Sequence, residues 1–124
     1  EGKTFIALNL GMTIALTGKK VLILELDFRK PKQEIYLNLE SNYKGIVNYL
    51  VDPLVSPKEI IRNSEIHLNL DVIIRGSKPP NPGELMLSPR LKDLVLHLEN
   101  HYDFIILDTP PVGLVADALQ MKSH

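Results

Sequence analysis

The sequence predicts an α/β fold in which helices cover a mostly parallel sheet. Three apolar runs, KKVLILELD, LNLDVIIRG and YDFIILDTPP, have the composition of strands that are covered on both faces. Segments with helical spacing or helix-capping patterns lie between these runs, and such alternation is typical of layered α/β folds. The length of 124 residues is sufficient for one domain with a real core.

The beginning of the chain contains a predicted helix and the first strand. Residues 4–16 are apolar almost all round, and Gly18 follows at a place where a helix would end. This pattern predicts a helix that is buried against the sheet. The strand KKVLILELD comes next and ends at Asp27 and Pro31.

The remaining elements follow the same alternation. GIVNYLV forms a short helix at residues 45–51, and Ser56 begins another as the N-cap of SPKEIIRNS. The strand LNLDVIIRG ends before the loop SKPPNPGEL. Ser88 begins an amphipathic helix that extends to about His101, and the strand YDFIILDTPP follows it. A last helix is expected to begin near Val115.

Composition and charge exclude several classes of protein. The net charge of -1 gives no overall basic field, so nucleic acid is not expected as a partner. The absence of cysteine excludes disulfide bonds, thiolate metal ligands and a cysteine nucleophile. No apolar run approaches the roughly 20 residues that span a bilayer, so any link to a membrane is expected to lie outside this chain.

The tripeptide Gly2-Lys3-Thr4 precedes the first helix and has the chemistry of the end of a phosphate-binding loop. Glycine lets backbone amides approach phosphates, lysine reaches the β- and γ-phosphates, and a hydroxyl group ligates Mg²⁺. The positive end of the helix dipole adds to this attraction. Because GKT is a common tripeptide and the rest of the loop pattern does not precede it here, an ordinary helix start is the alternative.

Acidic side chains lie at the ends of two predicted strands. Glu25 and Asp27 are two residues apart, so they point to the same side of the first strand, and Asp108 ends the third strand. In parallel sheets, ligands bind at the carboxyl ends of strands. A Mg·ATP site would use these groups to hold metal-bound water and to draw a proton from an attacking hydroxyl group. A solvated acidic strand end is the alternative for Glu25 and Asp27.

Four segments together resemble one protein family. EGKT is similar to the end of a Walker A motif, LILELDFRKP to a Walker A′ motif and FIILDTPPV to a Walker B motif. GSKPPNPGELMLS resembles a loop of the form G-x-x-PPNP-x-EL-x-x-S and is the most discriminating of the four. In this order the motifs resemble the cytoplasmic catalytic domain of bacterial tyrosine kinases of capsular and exopolysaccharide biosynthesis, which has a deviant P-loop ATPase fold. The resemblance covers essentially all 124 residues.

The resemblance implies ATP and Mg²⁺ as cofactors and a role for each residue of the site. The implied phosphate-binding residues are Glu1, Gly2, Lys3 and Thr4. The implied magnesium-binding residues are Thr4, Asp27 and Asp108. The residues implied in phosphoryl transfer are Lys3, Glu25, Asp27 and Asp108.

Glu25 departs from the family pattern, which usually has an aspartate here that is proposed to help activate the tyrosine hydroxyl group. Glutamate keeps the charge but moves it outward by one methylene group. A misplacement of about 1 Å can reduce a rate on the order of 100-fold. Activity could therefore be reduced even in a complete protein.

Residues 1–124 are expected to be part of a P-loop kinase or ATPase domain that is incomplete at both ends. In the family pattern, the first strand and the start of the phosphate loop would come before Glu1. A C-terminal part with a tyrosine-rich tail would come after His124. The isolated chain is therefore expected to bind ATP weakly or not at all and to be inactive.

For the complete protein the resemblance implies a non-specific protein-tyrosine kinase that phosphorylates its neighbours in a homo-oligomer and regulates capsule or exopolysaccharide biosynthesis and export. It also implies a cytoplasmic location at the inner face of the cell membrane. The link would be a transmembrane polysaccharide co-polymerase or activator domain, in the same or a separate chain. Two alternatives stay open: a partition-type P-loop ATPase, and a catalytically silent docking module of a polysaccharide co-polymerase.

Overall fold

The computed structural model describes residues 2–28, 44–79, 81–109 and 117–120. The strands in this part are β1 (Val21–Glu25), β2 (Arg62–Asn63), β3 (Leu70–Ile73), β4 (Phe104–Asp108) and β5 (Asp117–Gln120). They form a five-stranded sheet in the order β2-β3-β1-β4-β5. β1 pairs in parallel with β3 and β4, while β2 and β5 pair in antiparallel at the two edges. The predicted α/β class with a parallel central sheet is therefore confirmed.

The described helices are α1 (Gly2–Ala15), α2 (Ile46–Val51), α3 (Pro57–Ile60), α4 (Pro82–Met86) and α5 (Pro89–Leu98). The predicted capping patterns define two helix starts. The Glu59 carboxylate accepts a hydrogen bond from Ser56 N at 2.9 Å before α3, and the Ser88 hydroxyl accepts one from Arg90 N at 3.2 Å before α5. Helix α4 lies in a segment that the sequence predicts as a loop. None of the helices described is long and apolar enough to cross a membrane.

The last described segment differs from the sequence-based expectation. The sequence predicts a helix from near Val115, but Asp117–Gln120 forms β5, which pairs with β4 along its length. Without this pairing, the outer edge of β4 would present a row of unbonded N–H and C=O groups. Hydrogen bonding to β4 therefore overrides the local helical preference of this segment.

Hydrophobic side chains form a cluster on each face of the sheet. All of the residues in β1 are buried, and their side chains alternate between the two faces. On one face, Ile23 belongs to a cluster with Ala7 and Ala15 of α1. On the other face, Leu22 and Leu24 belong to a cluster with residues of α2, α3 and α5. The sheet is therefore covered on both sides, as the continuous apolar runs predict.

Helix α1 crosses the sheet in the direction opposite to β1. A turn at residues 16–20 connects them, in which Gly18 has a φ of +91° and donates a hydrogen bond to the Ala15 carbonyl oxygen at 3.0 Å. Gly11 lets the helix lie close to the sheet, since a Cβ atom there would be 2.9 Å from Leu70 Cδ1. At about 1.5 Å per residue the helix is long enough to return to the carboxyl ends of the strands. The first turn of α1 therefore lies at the carboxyl edge of the sheet.

Two side-chain hydrogen bonds meet on the half-buried Asp71 at the opposite, amino edge of the sheet. The Tyr102 hydroxyl donates to Asp71 Oδ2 at 2.6 Å, and Asn63 Nδ2 donates to Asp71 Oδ1 at 3.1 Å. Burial, together with the hydrogen bond to the carboxylate, raises the pKa of Tyr102 well above its usual value. Since this hydroxyl group stays protonated and bonded, we interpret the amino edge as structural.

Arg90, at the start of α5, donates hydrogen bonds to carbonyl groups at the C-terminal end of α2 and just beyond it. Its Nε donates to the Tyr49 carbonyl oxygen at 2.8 Å, and its Nη2 donates to the carbonyl oxygens of Val55 at 3.2 Å and Asp52 at 3.4 Å. The guanidinium carbon also lies 4.0 Å from the centroid of the Tyr49 ring. These bonds serve carbonyl groups at and beyond the end of a helix, which lack partners within the helix.

Replacing Arg90 with alanine is expected to destabilise the domain by about 2 kcal/mol, because the carbonyl groups lose the hydrogen bonds that Arg90 donates and the Tyr49 ring loses its cation. Arg90→Lys should restore only part of this loss, since an ammonium group cannot reproduce the planar fork. Thermal unfolding of the complete protein measures both changes, with the exposed Lys92→Ala on the same helix as the control. Equal unfolding temperatures for Arg90→Ala and the wild type would contradict this role.

Candidate functional site

The carboxyl ends of β1 and β4 bring acidic residues to one edge of the sheet. Glu25 lies opposite Asp108 in the parallel ladder, and Leu26 N donates to the Asp108 carbonyl oxygen at 2.8 Å. Asp27 is the next residue along the chain after Leu26. Glu25, Asp27 and Asp108 are each 0% exposed. Since burial of a carboxylate is costly without a compensating partner, these residues are not a solvated strand end and mark a candidate site.

Glu25 is bonded to the segment that follows β3. Its Oε1 accepts a hydrogen bond from Arg75 N at 2.6 Å, and both residues are buried. The Arg75 side chain donates from Nη1 to the Phe28 carbonyl oxygen at 3.5 Å and from Nε to the Gly76 carbonyl oxygen at 3.3 Å. Arg75 therefore contacts the chain on both sides of Asp27.

The N-terminus of α2 is bonded to the same segment. Ile46 N donates to the Ile74 carbonyl oxygen at 2.8 Å, and Val47 N donates to the Arg75 carbonyl oxygen at 3.0 Å. The free N–H groups at a helix start need acceptors of this kind. As a result, Arg75 is held through its N–H group, its carbonyl group and its side chain.

Asn48 and two glycines let the start of α2 pack closely against residues 74–77, which follow β3. Asn48 Oδ1 accepts hydrogen bonds from Gly45 N at 2.9 Å and Ser77 N at 3.1 Å, and its Nδ2 donates to Ser77 Oγ at 2.8 Å. Gly76 has a φ of +80°, which favours glycine, and a Cβ atom there would clash with Asn48 Oδ1. The loop that contains PPNP therefore leaves the sheet in a defined direction.

A cavity of about 200 Å³ lies between α2 and the start of this loop. Its lining combines apolar and polar side chains: Lys44, Val47, Asn48, Val51, Asp52, Val55, Ser77 and Lys78. Glu25, Asp27 and Asp108 lie outside this lining. The cavity is therefore not the place where the predicted phosphoryl chemistry would occur.

The predicted phosphate-binding residues open α1. Gly2, Lys3 and Thr4 form its first turn, while Glu1 lies outside the described residues. The first turn of a helix offers free N–H groups and the positive end of the helix dipole, and both suit a phosphate group. Because α1 packs along the sheet and leads into the start of β1, we expect this turn at the sheet edge at which Asp27 and Asp108 lie.

The donor chemistry at this edge suits Mg²⁺, which prefers oxygen ligands. Asp27 and Asp108 offer carboxylates and Thr4 offers a hydroxyl group. Among the residues that the structure describes, no group of three acidic or histidine side chains is arranged to hold a metal ion. Mg²⁺ usually keeps several waters and binds through one or two carboxylates together with substrate phosphates, so the residues present fit this ion. The magnesium ligand set stays a prediction.

Comparison with known proteins gives a family and named relatives. The AAA domain family matches residues 1–122. The chain is 40% identical over 118 residues to the tyrosine-protein kinase YwqD of Bacillus subtilis, a match that covers 95% of this chain and 48% of the relative. It is 36% identical over 125 residues to the tyrosine-protein kinase wzc of Salmonella typhi, covering 99% of this chain and 17% of the relative. The chain therefore spans about half of the first relative's length and about a sixth of the second's.

Solved kinase structures have the same fold. The chimerical protein CapA2B2 has a TM-score of 0.81 at 40% identity, over 92% of this chain and 49% of that one. The kinase domain of the Escherichia coli tyrosine kinase ETK has a TM-score of 0.80 at 34% identity, over 89% of this chain and 42% of that one.

The layered sheet, with a helix start and strand-end acids at its carboxyl edge, defines a P-loop-like α/β domain. The chain belongs to the AAA domain family, and it corresponds to part of a bacterial tyrosine-kinase domain. The family that the four sequence motifs resemble is therefore confirmed.

Proposed function

We propose that the complete protein is an ATP-dependent protein-tyrosine kinase that phosphorylates tyrosines on its own neighbours and regulates capsule or exopolysaccharide biosynthesis and export. One observation carries the proposal: Asp27 and Asp108 are buried at the carboxyl edge of the sheet. The direction of α1, which leads along the sheet into the start of β1, supports a phosphate-binding turn at the same edge. The names of the relatives, which are tyrosine-protein kinases, support the choice of the accepting group.

The first turn of α1 would bind the phosphates. Glu1, Gly2, Lys3 and Thr4 would offer backbone N–H groups to the phosphates, and the Lys3 ammonium group would reach the β- and γ-phosphates. Thr4 would offer its hydroxyl group to Mg²⁺. Bound Mg·ATP would supply the phosphoryl group and a divalent charge that offsets its negative charge.

The acids would act on the other side of the phosphates. Asp108 would hold water bound to the metal ion from its fixed position at the end of β4. Asp27 would orient the tyrosine hydroxyl group and take its proton, with Glu25 beside it. Burial of Asp27 and Asp108 suits these roles, because charges in a site that excludes water interact more strongly than exposed ones.

A homo-oligomer would bring a tyrosine of one subunit to the site of the next. We further propose a location at the inner face of the cell membrane, through a transmembrane polysaccharide co-polymerase or activator domain in the same or a separate chain. The resemblance of the four sequence motifs to the family supports this location, and one relative is named as a tyrosine-protein kinase in a cps region. Recovery of the complete protein in the membrane fraction of lysed cells would test this location.

Incubation of the complete protein with ATP and Mg²⁺ tests the kinase activity. Phosphotyrosine is expected in the wild type, and Lys3→Met should reduce it by about 100-fold or more, because the ammonium group stabilises the transferring phosphoryl group. Immunoblotting and mass spectrometry measure the product. Lys19→Met is the control, since Lys19 is exposed beyond the far end of α1. Absence of phosphotyrosine in the wild type, or equal amounts in Lys3→Met, would contradict the proposal.

Measurements of ATP hydrolysis and of binding by the complete protein separate the alternatives. Hydrolysis of ATP without tyrosine labelling, together with DNA or lipid binding by the complete protein, would favour a partition-type ATPase. No ATP binding in calorimetry, together with binding to a membrane partner, would favour a catalytically silent docking module. Glu25 motivates the second alternative because the family usually has aspartate at this position.

A further inference from the structure

Glu25 accepts a hydrogen bond from the backbone of Arg75, a contact that the acidic pattern of Glu25 and Asp27 does not predict. Its side chain is completely buried, and its Oε1 lies 2.6 Å from Arg75 N. A hydrogen bond between a carboxylate and a backbone N–H group is short and stronger than one between neutral groups. The carboxylate of Glu25 is therefore directed at the segment that follows β3.

The end of β3 explains why this contact is needed. The parallel ladder between β1 and β3 ends at the pair Leu24↔Ile73. Beyond it, the carbonyl groups of Ile74 and Arg75 accept hydrogen bonds from the start of α2. The buried N–H group of Arg75 still needs an acceptor, and Glu25 supplies it.

The length of the glutamate side chain decides whether this bond can form. Removal of one methylene group would withdraw the carboxylate by about 1.5 Å, the length of one carbon–carbon bond. The separation from Arg75 N would then exceed hydrogen-bonding distance unless the backbone moved. An aspartate at position 25 could not make the same contact in this backbone.

Arg75 connects this bond to Asp27. Its N–H group binds Glu25, two residues before Asp27, and its guanidinium group contacts the Phe28 carbonyl oxygen, one residue after Asp27. The second bond is longer, at 3.5 Å, and is the weaker of the two. Asp27 is thus held between two attachment points on one buried residue.

We propose that Glu25 is a positioning residue in this chain: its carboxylate fixes the end of β1 to Arg75 and so sets the position of Asp27 in the proposed site. This role rests on the proposed kinase function. The additional methylene group, which the sequence suggests would lower activity, is then the feature that makes this contact possible.

Two substitutions at Glu25 give opposite results for a positioning role and for a chemical role. Glu25→Gln keeps the length and an oxygen that accepts from Arg75 N, so kcat for tyrosine labelling should fall by about fivefold at most. Glu25→Asp keeps the charge but loses the contact, so kcat should fall by about 10- to 100-fold, with the KM for ATP unchanged. Glu84→Asp on the exposed part of α4 is the matched control.

If Glu25→Asp were active and Glu25→Gln inactive, the carboxylate would act chemically and the proposal would be overturned.

Hydrogen exchange gives a readout that does not depend on activity. In the complete protein, peptides that contain residue 75 should exchange faster in Glu25→Asp than in the wild type, and Glu25→Gln should resemble the wild type. Equal exchange in all three proteins would overturn the Glu25 assignment alone. A wild type that forms no phosphotyrosine would instead overturn the kinase function and, with it, the role of Asp27.

Discussion

Asp27→Asn in the complete protein is expected to lower kcat for tyrosine labelling by about 100- to 10,000-fold, the range over which a general base contributes. Asparagine keeps nearly the same size in a completely buried position, so the fold should persist. It cannot accept the proton of the tyrosine hydroxyl group. Transfer of labelled phosphate to tyrosine at saturating ATP measures the effect.

The matched control for Asp27→Asn is Asp93→Asn on the exposed side of α5. It removes the same charge without touching the carboxyl edge and should leave kcat unchanged. Circular dichroism and thermal unfolding of both variants establish that they remain folded. A folded Asp27→Asn protein with wild-type kcat would exclude Asp27 as the general base that takes the proton of the tyrosine hydroxyl group.

Gly45→Ala is expected to destabilise the domain by about 3 kcal/mol, because the added methyl group meets backbone that has no room to move. A Cβ atom at Gly45 would clash with the Ile74 carbonyl oxygen and lie 2.6 Å from the Arg75 carbonyl carbon. For a domain of about 150–250 residues, such a loss lowers the unfolding temperature by roughly 6–12 °C. Thermal unfolding of the complete protein measures it.

Gly83→Ala provides the control for this substitution. Gly83 lies in α4, and a Cβ atom there would have no neighbour within 4 Å. The variant should be neutral or stabilised by up to about 1 kcal/mol, since alanine favours the helix. If Gly45→Ala unfolded at the same temperature as Gly83→Ala, the close approach of α2 to the end of β3 would be wrong.

Much of the fold could be predicted because its signals are local. The continuous apolar runs identified the three central strands, and the capping residues Ser56 and Ser88 identified two helix starts. The segment from Asp117 could not be predicted in this way. Its conformation depends on the open edge of β4, which is a property of the sheet and not of the local sequence.

The candidate site could be predicted only in part. The sequence placed Glu25, Asp27 and Asp108 at strand ends, and the order of the strands brings them to one edge. The roles of Arg75 and Arg90 could not be predicted, because each depends on partners that are about 35 to 50 residues away in the chain. An arginine has no local pattern that reports which distant carbonyl group or carboxylate it will meet.

The most direct test follows the γ-phosphoryl group of labelled ATP in the complete protein and compares the amount on tyrosine with the amount released as inorganic phosphate. We predict that the wild type transfers label to tyrosine and that Lys3→Met and Asp27→Asn do not. Release of label only as inorganic phosphate in the wild type, or equal tyrosine labelling in all three proteins, would contradict a tyrosine-kinase site at the carboxyl edge of this sheet.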